Sequence, residues 1–417
     1  MISLAWNSLR NRWPTALLAV LAISMSVALI LTVEKVRRDA RNSFTQTVSG
    51  TDLIVGARSG SVQLLLYSVF RIGNATNNIS WESVEDIRKR KAVKWVIPIS
   101  LGDSHAGFRV LGTNHDYFTH YRYADKRSIE FANGQVFDDV FDAVIGSEVA
   151  AKLGYSVGDE MVVAHGTGNV ALIEHDKQPF KVSGILRPTG TPVDRAVHVS
   201  LEGIEAMHID WQNGAKINNG GTDADTVRAM DLQPTAVTAL LVGLKSRATV
   251  FREQRSINNY RAEPLLAVLP GVALQELWNL VGVAEKALFI VSVCVVIAGL
   301  VNLISVLLAG LNERRREMAV LRSTGARPLH VFILLCIESA VLTLAGIIAG
   351  LLLHYVLTGL GSVFLQQRYG LSIALGAPTM TEWMIMAAIA IAGILAGTIP
   401  ALQAYRKSLA DGLSQRL

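Results

Sequence analysis

The sequence predicts a membrane protein with four transmembrane helices and a large mixed α/β domain inserted between the first and second. Three observations predict it. Of 417 residues, 51% are hydrophobic and only 18% charged, against roughly 25% charged in a soluble domain. The apolar excess lies in blocks. Pro14–Val33, Ala287–Leu311 and Trp383–Leu402 hold no Asp, Glu, Lys, Arg or His, and Leu329–Leu357 is interrupted only by His330, Glu338 and His354. A helix needs about 20 apolar residues to cross the hydrocarbon core. Between the first two blocks lies Glu34–Gly282, which alternates short β-branched segments with turn residues. A soluble enzyme is excluded.

Taken in order, Met1–Trp13 places Ile2, Trp6, Leu9 and Trp13 on one helical face, which predicts an amphipathic helix at the membrane interface. Pro14–Val33 reads as a retained anchor. It is longer than a signal-peptide h-region, and Ile30-Leu-Thr-Val33 offers no small-x-small cleavage site. Glu34–Phe44 extends that helix outward. Val93–Ser100, Phe108–Gly112, Ala143–Ile145, Glu160–Ala164, Phe180–Leu186 and Ala196–Ser200 read as strands. Trp81–Arg90, Gly146–Leu153 and Leu201–His208 read as helices, and Asn213–Asp225 as an exposed loop. Val272–Glu285, with Leu274, Leu277 and Val281, reads as a helix leading into the second span. The expected domains are 1–33 (interfacial helix and first span), 34–282 (external domain with helical stalks) and 283–417 (three further spans).

Charge sets the topology. The N-terminal flank, the loop between the second and third spans and the C-terminal tail hold Arg10, Arg12, Arg314, Arg315, Arg316, Arg322, Arg327, Arg406, Lys407 and Arg416 against Glu313, Glu317 and Asp411. Short basic loops stay in the cytoplasm, so the long segment is expected outside. The basic balance is a topology signal, and no nucleic-acid partner is expected. Lys35, Arg37, Arg38 and Arg41 violate the rule locally, but large domains translocate largely regardless of charge. Both cysteines, Cys294 and Cys336, fall in spans, so the external domain has no disulfide framework.

Candidate chemistry is sparse. The chain has no GxxxxGK[ST], HExxH or GxSxG motif. His115, Asp116 and His120 form the best metal-ligating cluster among seven external histidines, although the two histidines share no helix face. Val62–Ile72 is strongly apolar. Leu64, Leu65, Leu66 and Phe70 belong either to the core or, if exposed, to a substrate or partner contact. Glu338 sits near mid-span in the third helix, where an ionisable residue is a functional hypothesis by default. The most specific feature is Asn312–Pro328. Helical character runs on through Arg322 and stops at Gly325, with an apolar face at Met318 and Leu321 and a polar one from Glu313, Arg314, Arg315, Arg316 and Glu317. A topology signal needs only the arginines, so the amphipathic helix suggests that something docks there.

Here a resemblance enters. Glu-Arg-Arg-Arg-Glu-Met-Ala-Val-Leu-Arg-Ser-Thr-Gly-Ala326 followed by Leu-Leu-Cys-Ile-Glu-Ser339 resembles the signature of MacB/FtsX-type ABC transporter permeases. The opening Ala5-Trp-Asn-Ser-Leu-Arg10 and the ending Thr398-Ile-Pro-Ala-Leu-Gln-Ala-Tyr405 are also similar to that family, and Ile145–Asp159 and Val182–Leu186 to its periplasmic domain. The resemblance implies a permease of the bacterial inner membrane that works as a dimer with separate ATPase subunits. The partner, not this chain, would bind ATP and Mg. The region 312–327, Glu313 to Arg322 with Gly325 and Ala326, would be the ATPase-coupling helix. The size of the external domain points to the MacB-like or lipoprotein-releasing branches rather than the division branch. ATP-driven closure would then reach the periplasm through the stalks (mechanotransmission), with a periplasmic or outer-membrane partner as a further expectation. Two alternatives are a permease in a zinc-linked system and a membrane-anchored periplasmic binding protein or enzyme. The latter leaves the cytoplasmic helix unexplained.

Overall fold

The computed structural model describes residues 12–47, 49–124, 126–165, 173–174, 179–209, 211–212, 215–216, 222–313, 327–369 and 376–406. The chain divides into two compact units. One comprises Met1–Ala40, Gly282–Gln367 and Ile373–Leu417, the other Arg41–Val281 and Arg368–Ser372.

The first unit is built from helices α1 (Trp13–Thr47), α9 (Pro270–Glu313), α10 (Pro328–Tyr369) and α11 (Met380–Arg406). Each contains a stretch long and apolar enough to cross a membrane: Trp13–Asn42, Pro270–Leu311, Pro328–Ser362 and Met380–Arg406. In lipid every backbone polar group must be satisfied within the segment, which is why these runs are helical. The protein is a multi-pass membrane protein. Because α1 is apolar all round, packing alone selects its inner face. Ala19, Ile23, Val27 and Leu31 are buried against Leu303 and Leu307 of α9, Leu342 and Ile347 of α10, and Met386 and Ile389 of α11. Leu17, Leu18, Leu21 and Met25 stay exposed, as lipid-facing side chains do. Small residues permit the close approach. A Cβ on Gly350 would lie 2.7 Å from Val27 Cβ, and one on Gly397 2.3 Å from Ser339 Cβ. Ser339 Oγ donates across α10 and α11 to Gly393 O at 2.7 Å, and Ser26 Oγ donates from α1 to Val295 O at 3.0 Å.

The second unit is a mixed α/β domain around one large sheet. Its main path uses β1 (Leu53–Ala57), β2 (Val93–His105), β3 (Phe108–Thr113), β4 (Phe131–Gly134), β5 (Asp142–Ile145), β6 (Phe180–Leu186), β7 (Ala196–Ser200), β8 (Ala239–Leu244) and β9 (Leu265–Val268), in the spatial order β9-β1-β8-β2-β3-β7-β5-β6-β4. The pairs β3–β7 and β5–β6 are parallel; the other pairs along this path are antiparallel. Strand β1 is buried on both faces. Ile54 enters one core with Ile97, Ile99 and Leu241, while Leu53 and Val55 enter another with Val96, Leu240 and Val242. The second core is covered by α3 (Trp81–Arg88) and α8 (Val250–Asn258). A third core joins β3, β5, β6 and β7 to α5 (Ser147–Leu153), α6 (Leu201–His208) and α7 (Ala224–Arg228).

The first core holds the stretch that the sequence left open. Helix α2 (Ser61–Leu65) runs into a π-helical turn, Leu66–Phe70, that ends at Arg71 in the left-handed region with φ 59°. Leu64 and Tyr67 pack closely on β1 because Gly56 offers no side chain there; a Cβ would sit 2.4 Å from Leu64 Cδ1 and 2.7 Å from Tyr67 Oη. Leu64, Leu65 and Phe70 are core residues and Leu66 packs partly buried beside them, which corrects the reading of an exposed contact patch. Burial wins because this segment, together with α4 (His115–His120), covers an apolar face of the sheet.

Both long helices root in that core. Tyr121 Oη donates to Thr47 O at the end of α1, at 2.7 Å. Ala273 of α9 is fully buried in the cluster with Leu274 packed against it, and Ser61 Oγ donates to Glu276.

Candidate functional site

In the bundle, α1 leaves its apolar run at Val33 and at once carries Glu34, Lys35, Arg37, Arg38 and Asp39. Helical spacing pairs Glu34 with Arg37 at 2.9 Å and Lys35 with Asp39 at 3.2 Å. Arg38 reaches off its own helix. Its Nη1 donates to Thr379 Oγ1 at 2.6 Å and its Nη2 to Glu382 Oε1 at 3.0 Å, both at the start of α11. Glu382 Oε2 in turn accepts the Thr379 backbone N–H at 2.8 Å. Thr379-Met-Thr-Glu382 is thus a capping pair whose carboxylate serves two ends, holding the helix terminus and the arginine. On α10, His354 Nδ1 meets Thr32 Oγ1 of α1 at 3.0 Å. Glu34, Lys35, Glu382 and His354 are all buried. Buried charges persist only when paired, and breaking one partner costs far more than the pair contributes. The network therefore clamps α1 to α10 and α11, so that sliding α1 along α11 requires breaking charge-assisted hydrogen bonds.

Towards the other end of the bundle, Glu338 is buried on α10 and lines a cavity of about 240 Å³ with Leu342 of α10, Arg12 and Thr15 of the α1 segment, and Ser305 and Gly310 of α9. Arg12 Nη1 donates to Gly310 O at 2.8 Å. The sequence offered no cation within the spans as a counterpart to Glu338; the fold puts Arg12 on the wall of the same cavity.

Glu313 ends α9. Arg314, Arg315, Arg316, Glu317, Met318, Leu321, Arg322, Gly325 and Ala326, expected to couple to the ATPase, lie outside the described residues, as does the interfacial segment through Asn11. His115, Asp116 and His120 share α4 but part company. His120 Nε2 lies 3.8 Å from Asp116 Oδ1 and its ring stacks on Trp95, while His115 sits edge-on to Phe137. Among the described residues no group of three or more metal-ligating side chains comes together.

Sequence reading missed the clamp. Arg38 looked like a violation of loop-charge statistics and His354 like an interruption of an apolar run. The one local signal was the Thr-x-x-Glu box ahead of the fourth span.

Residues 16–257 match the model of the MacB-like periplasmic core domain, and residues 289–409 that of the FtsX-like permease C-terminal region. The chain is 24% identical over 225 residues to the lipoprotein-releasing system transmembrane protein LolC of Neisseria meningitidis serogroup B (strain ATCC BAA-335 / MC58), over 52% of this chain and 48% of that protein. It thus spans about half the length of the curated relative it matches. Similar solved structures include the periplasmic region of MacB from Actinobacillus actinomycetemcomitans, at 11% identity and a TM-score of 0.34, covering 56% of this chain and 95% of that one. Another is the extracellular domain of the noncanonic ABC-type transporter YknZ from Gram-positive bacteria, at 14% and 0.31, covering 52% and 99%.

Proposed function

This chain belongs to the MacB/FtsX-type family of ABC transporter permeases, and from that premise we propose that it is an inner-membrane subunit coupling ATP hydrolysis by a separate ATPase to movement of its periplasmic domain. The observation that carries the reading is the continuity of two helices. Trp13–Thr47 and Pro270–Glu313 each run unbroken from an apolar span to a root in the core of the α/β domain. A helix transmits displacement along its axis because its hydrogen bonds resist extension, so movement of either span reaches the domain. The clamp of Arg38 on Thr379 and Glu382 makes α1 move with α11. Two copies of the chain would pair in the membrane and two ATPase subunits would bind ATP and Mg, docking on the segment 312–327. The work done would be export, lipoprotein release or mechanotransmission, and the name of the LolC relative favours the second.

The test is co-purification from the native operon. A dimer of this chain with two ATPase subunits is expected. In Met318→Ala/Leu321→Ala the ATPase should be lost with membrane insertion intact, since truncating central apolar anchors costs about 2 kcal/mol or more. A monomer without any ATPase, or a double variant that binds and stimulates ATPase as the parent does, overturns the reading.

A further inference from the structure

The charges of the clamp are balanced. Lys35 pairs with Asp39, Arg37 with Glu34 and Arg38 with Glu382, three cations to three carboxylates, at 3.2, 2.9 and 3.0 Å. Beside this set stands His354 of α10, 2% exposed, its Nδ1 sharing a hydrogen bond with Thr32 Oγ1 of α1. The charges that face its ring are Glu382 of α11 and Lys35 and Arg38 of α1. On its own helix the neighbours are the Tyr355 ring, 5.4 Å away, and Thr358, whose Oγ1 donates to His354 O at 2.8 Å. Tyr355 Oη donates to Gly376 O at 3.0 Å, tying this turn of α10 to the residues just ahead of α11. The site lies near the ends of the spans. The apolar run of α1 stops at Val33, α11 begins at Met380, and the Arg38 side chain is 25% exposed.

Histidine is the side chain that ordinarily titrates between pH 5 and 8. A proton on His354 adds a cation beside Lys35 and Arg38 and makes both ring nitrogens donors. The one anion facing it is Glu382, which already accepts from Arg38 Nη2 and from the Thr379 N–H. Like charges away from bulk water repel strongly, so one cation has to leave. Lys35 is the more enclosed of the two, its side chain 8% exposed, whereas Arg38 reaches solvent. We propose that His354 is an acid-sensitive release for the clamp, its protonation freeing Arg38 from Glu382 and uncoupling α1 from α11. The release rests on the proposed coupling, in which α1 moves with α11, and gives that coupling a pH dependence: the clamp holds while His354 is neutral and is lost as pH falls.

The test is hydrogen exchange of the full chain in nanodiscs between pH 7.5 and pH 4, with labelling times scaled to the intrinsic pH dependence of amide exchange. No nucleotide or ATPase is present, so the result does not depend on whether an ATPase binds. The amides of 379–383 report the clamp, because Glu382 holds the Thr379 N–H. Their protection should fall at least about fivefold by pH 5, while protection around Ser339 and Gly393, where α10 meets α11 through a separate hydrogen bond, stays unchanged. His354→Asn, whose amide can keep a bond to Thr32 Oγ1, should stay protected down to pH 5. Arg38→Gln should lose protection at every pH. Equal protection of the parent at pH 7.5 and pH 5 overturns the proposal, as does a fall that persists in His354→Asn or one shared by Ser339 and Gly393. Should Arg38→Gln be as protected as the parent, the clamp itself is refuted and its release with it. If His354→Asn does not insert, the midpoint in the parent decides. Above about pH 5 it belongs to histidine and supports the release; near 4 it belongs to the carboxylates and overturns it.

Discussion

His198 sits in the middle of β7 with no exposed surface. Its ring lies 5.2 Å from that of Tyr117 and 5.9 Å from that of Phe118, and its Nδ1 is 3.2 Å from Val144 O. Burial, reinforced by the nearby Arg71 guanidinium, pushes its basicity well below that of a free histidine. Burial does the same to His105. A histidine whose folded value is depressed stabilises the fold above its unfolded value, near 6.5, and that contribution is lost as pH falls from there towards the folded value. His208 runs the other way: burial lowers it, but hydrogen bonding and charge from Asp103 outweigh burial and raise it, so its contribution is lost as pH rises. The two depressed residues should dominate on the acid side. Thermal melts of the full chain are expected to fall between pH 7 and pH 5. His198→Asn should melt lower at pH 7, by about 1–3 kcal/mol for a disturbed core site, yet fall less on acidification. An unchanged pH slope in that variant would remove His198 as a source. In the bundle, the bond between Arg38 and Glu382 predicts non-additivity. Arg38→Ala and Glu382→Ala should each destabilise strongly, and the double variant should recover roughly 1–3 kcal/mol of the summed loss, measured as a double-mutant cycle in detergent. A cycle that closes at zero means the pair is solvated.

Helices and strands reveal themselves in sequence only where one face differs from the other. Phe180–Leu186 alternates buried and partly exposed or exposed residues and was legible with correct bounds. Leu53–Ala57 and Ala239–Leu244 are buried at every position because cores lie on both faces, so their apolar runs show no period and gave no strand signal. Val93–Ser100 was legible, but the strand continues to His105, where Leu101 and Ser104 face β3 across a bulge. Helix contacts in the bundle make an element-scale prediction. Gly397 faces Ser339 so closely that any side chain must force α11 from α10. Gly397→Val should cost about 1–3 kcal/mol, as overpacking does, and should release the hydrogen bond from Ser339 to Gly393 O. A denaturation midpoint equal to that of the parent would mean the helices separate without penalty.

For the whole molecule, the distribution of charge predicts that the termini and Asn312–Pro328 share the cytoplasm while the domain between α1 and α9 faces the periplasm. Gly158, in an exposed turn with φ 103° and open space around it, is a tolerant insertion point. A reporter active only in the periplasm should work at Gly158 and fail at the C-terminus; the reverse would invert the topology. By itself the sequence determined the membrane class, the four spans, the α/β insertion and the family. Those follow from hydropathy, short-range periodicity and local motifs, which are carried by residues close together along the chain. Only the tertiary structure decided that Arg38 meets Glu382 across 344 positions. It also decided that Leu64 and Phe70 are core rather than surface, and that Lys245 meets Lys91 O across 154 positions. Each of these depends on strand register or helix rotation. Both are set by the global packing of apolar surface, and no window of sequence contains the partners that settle them.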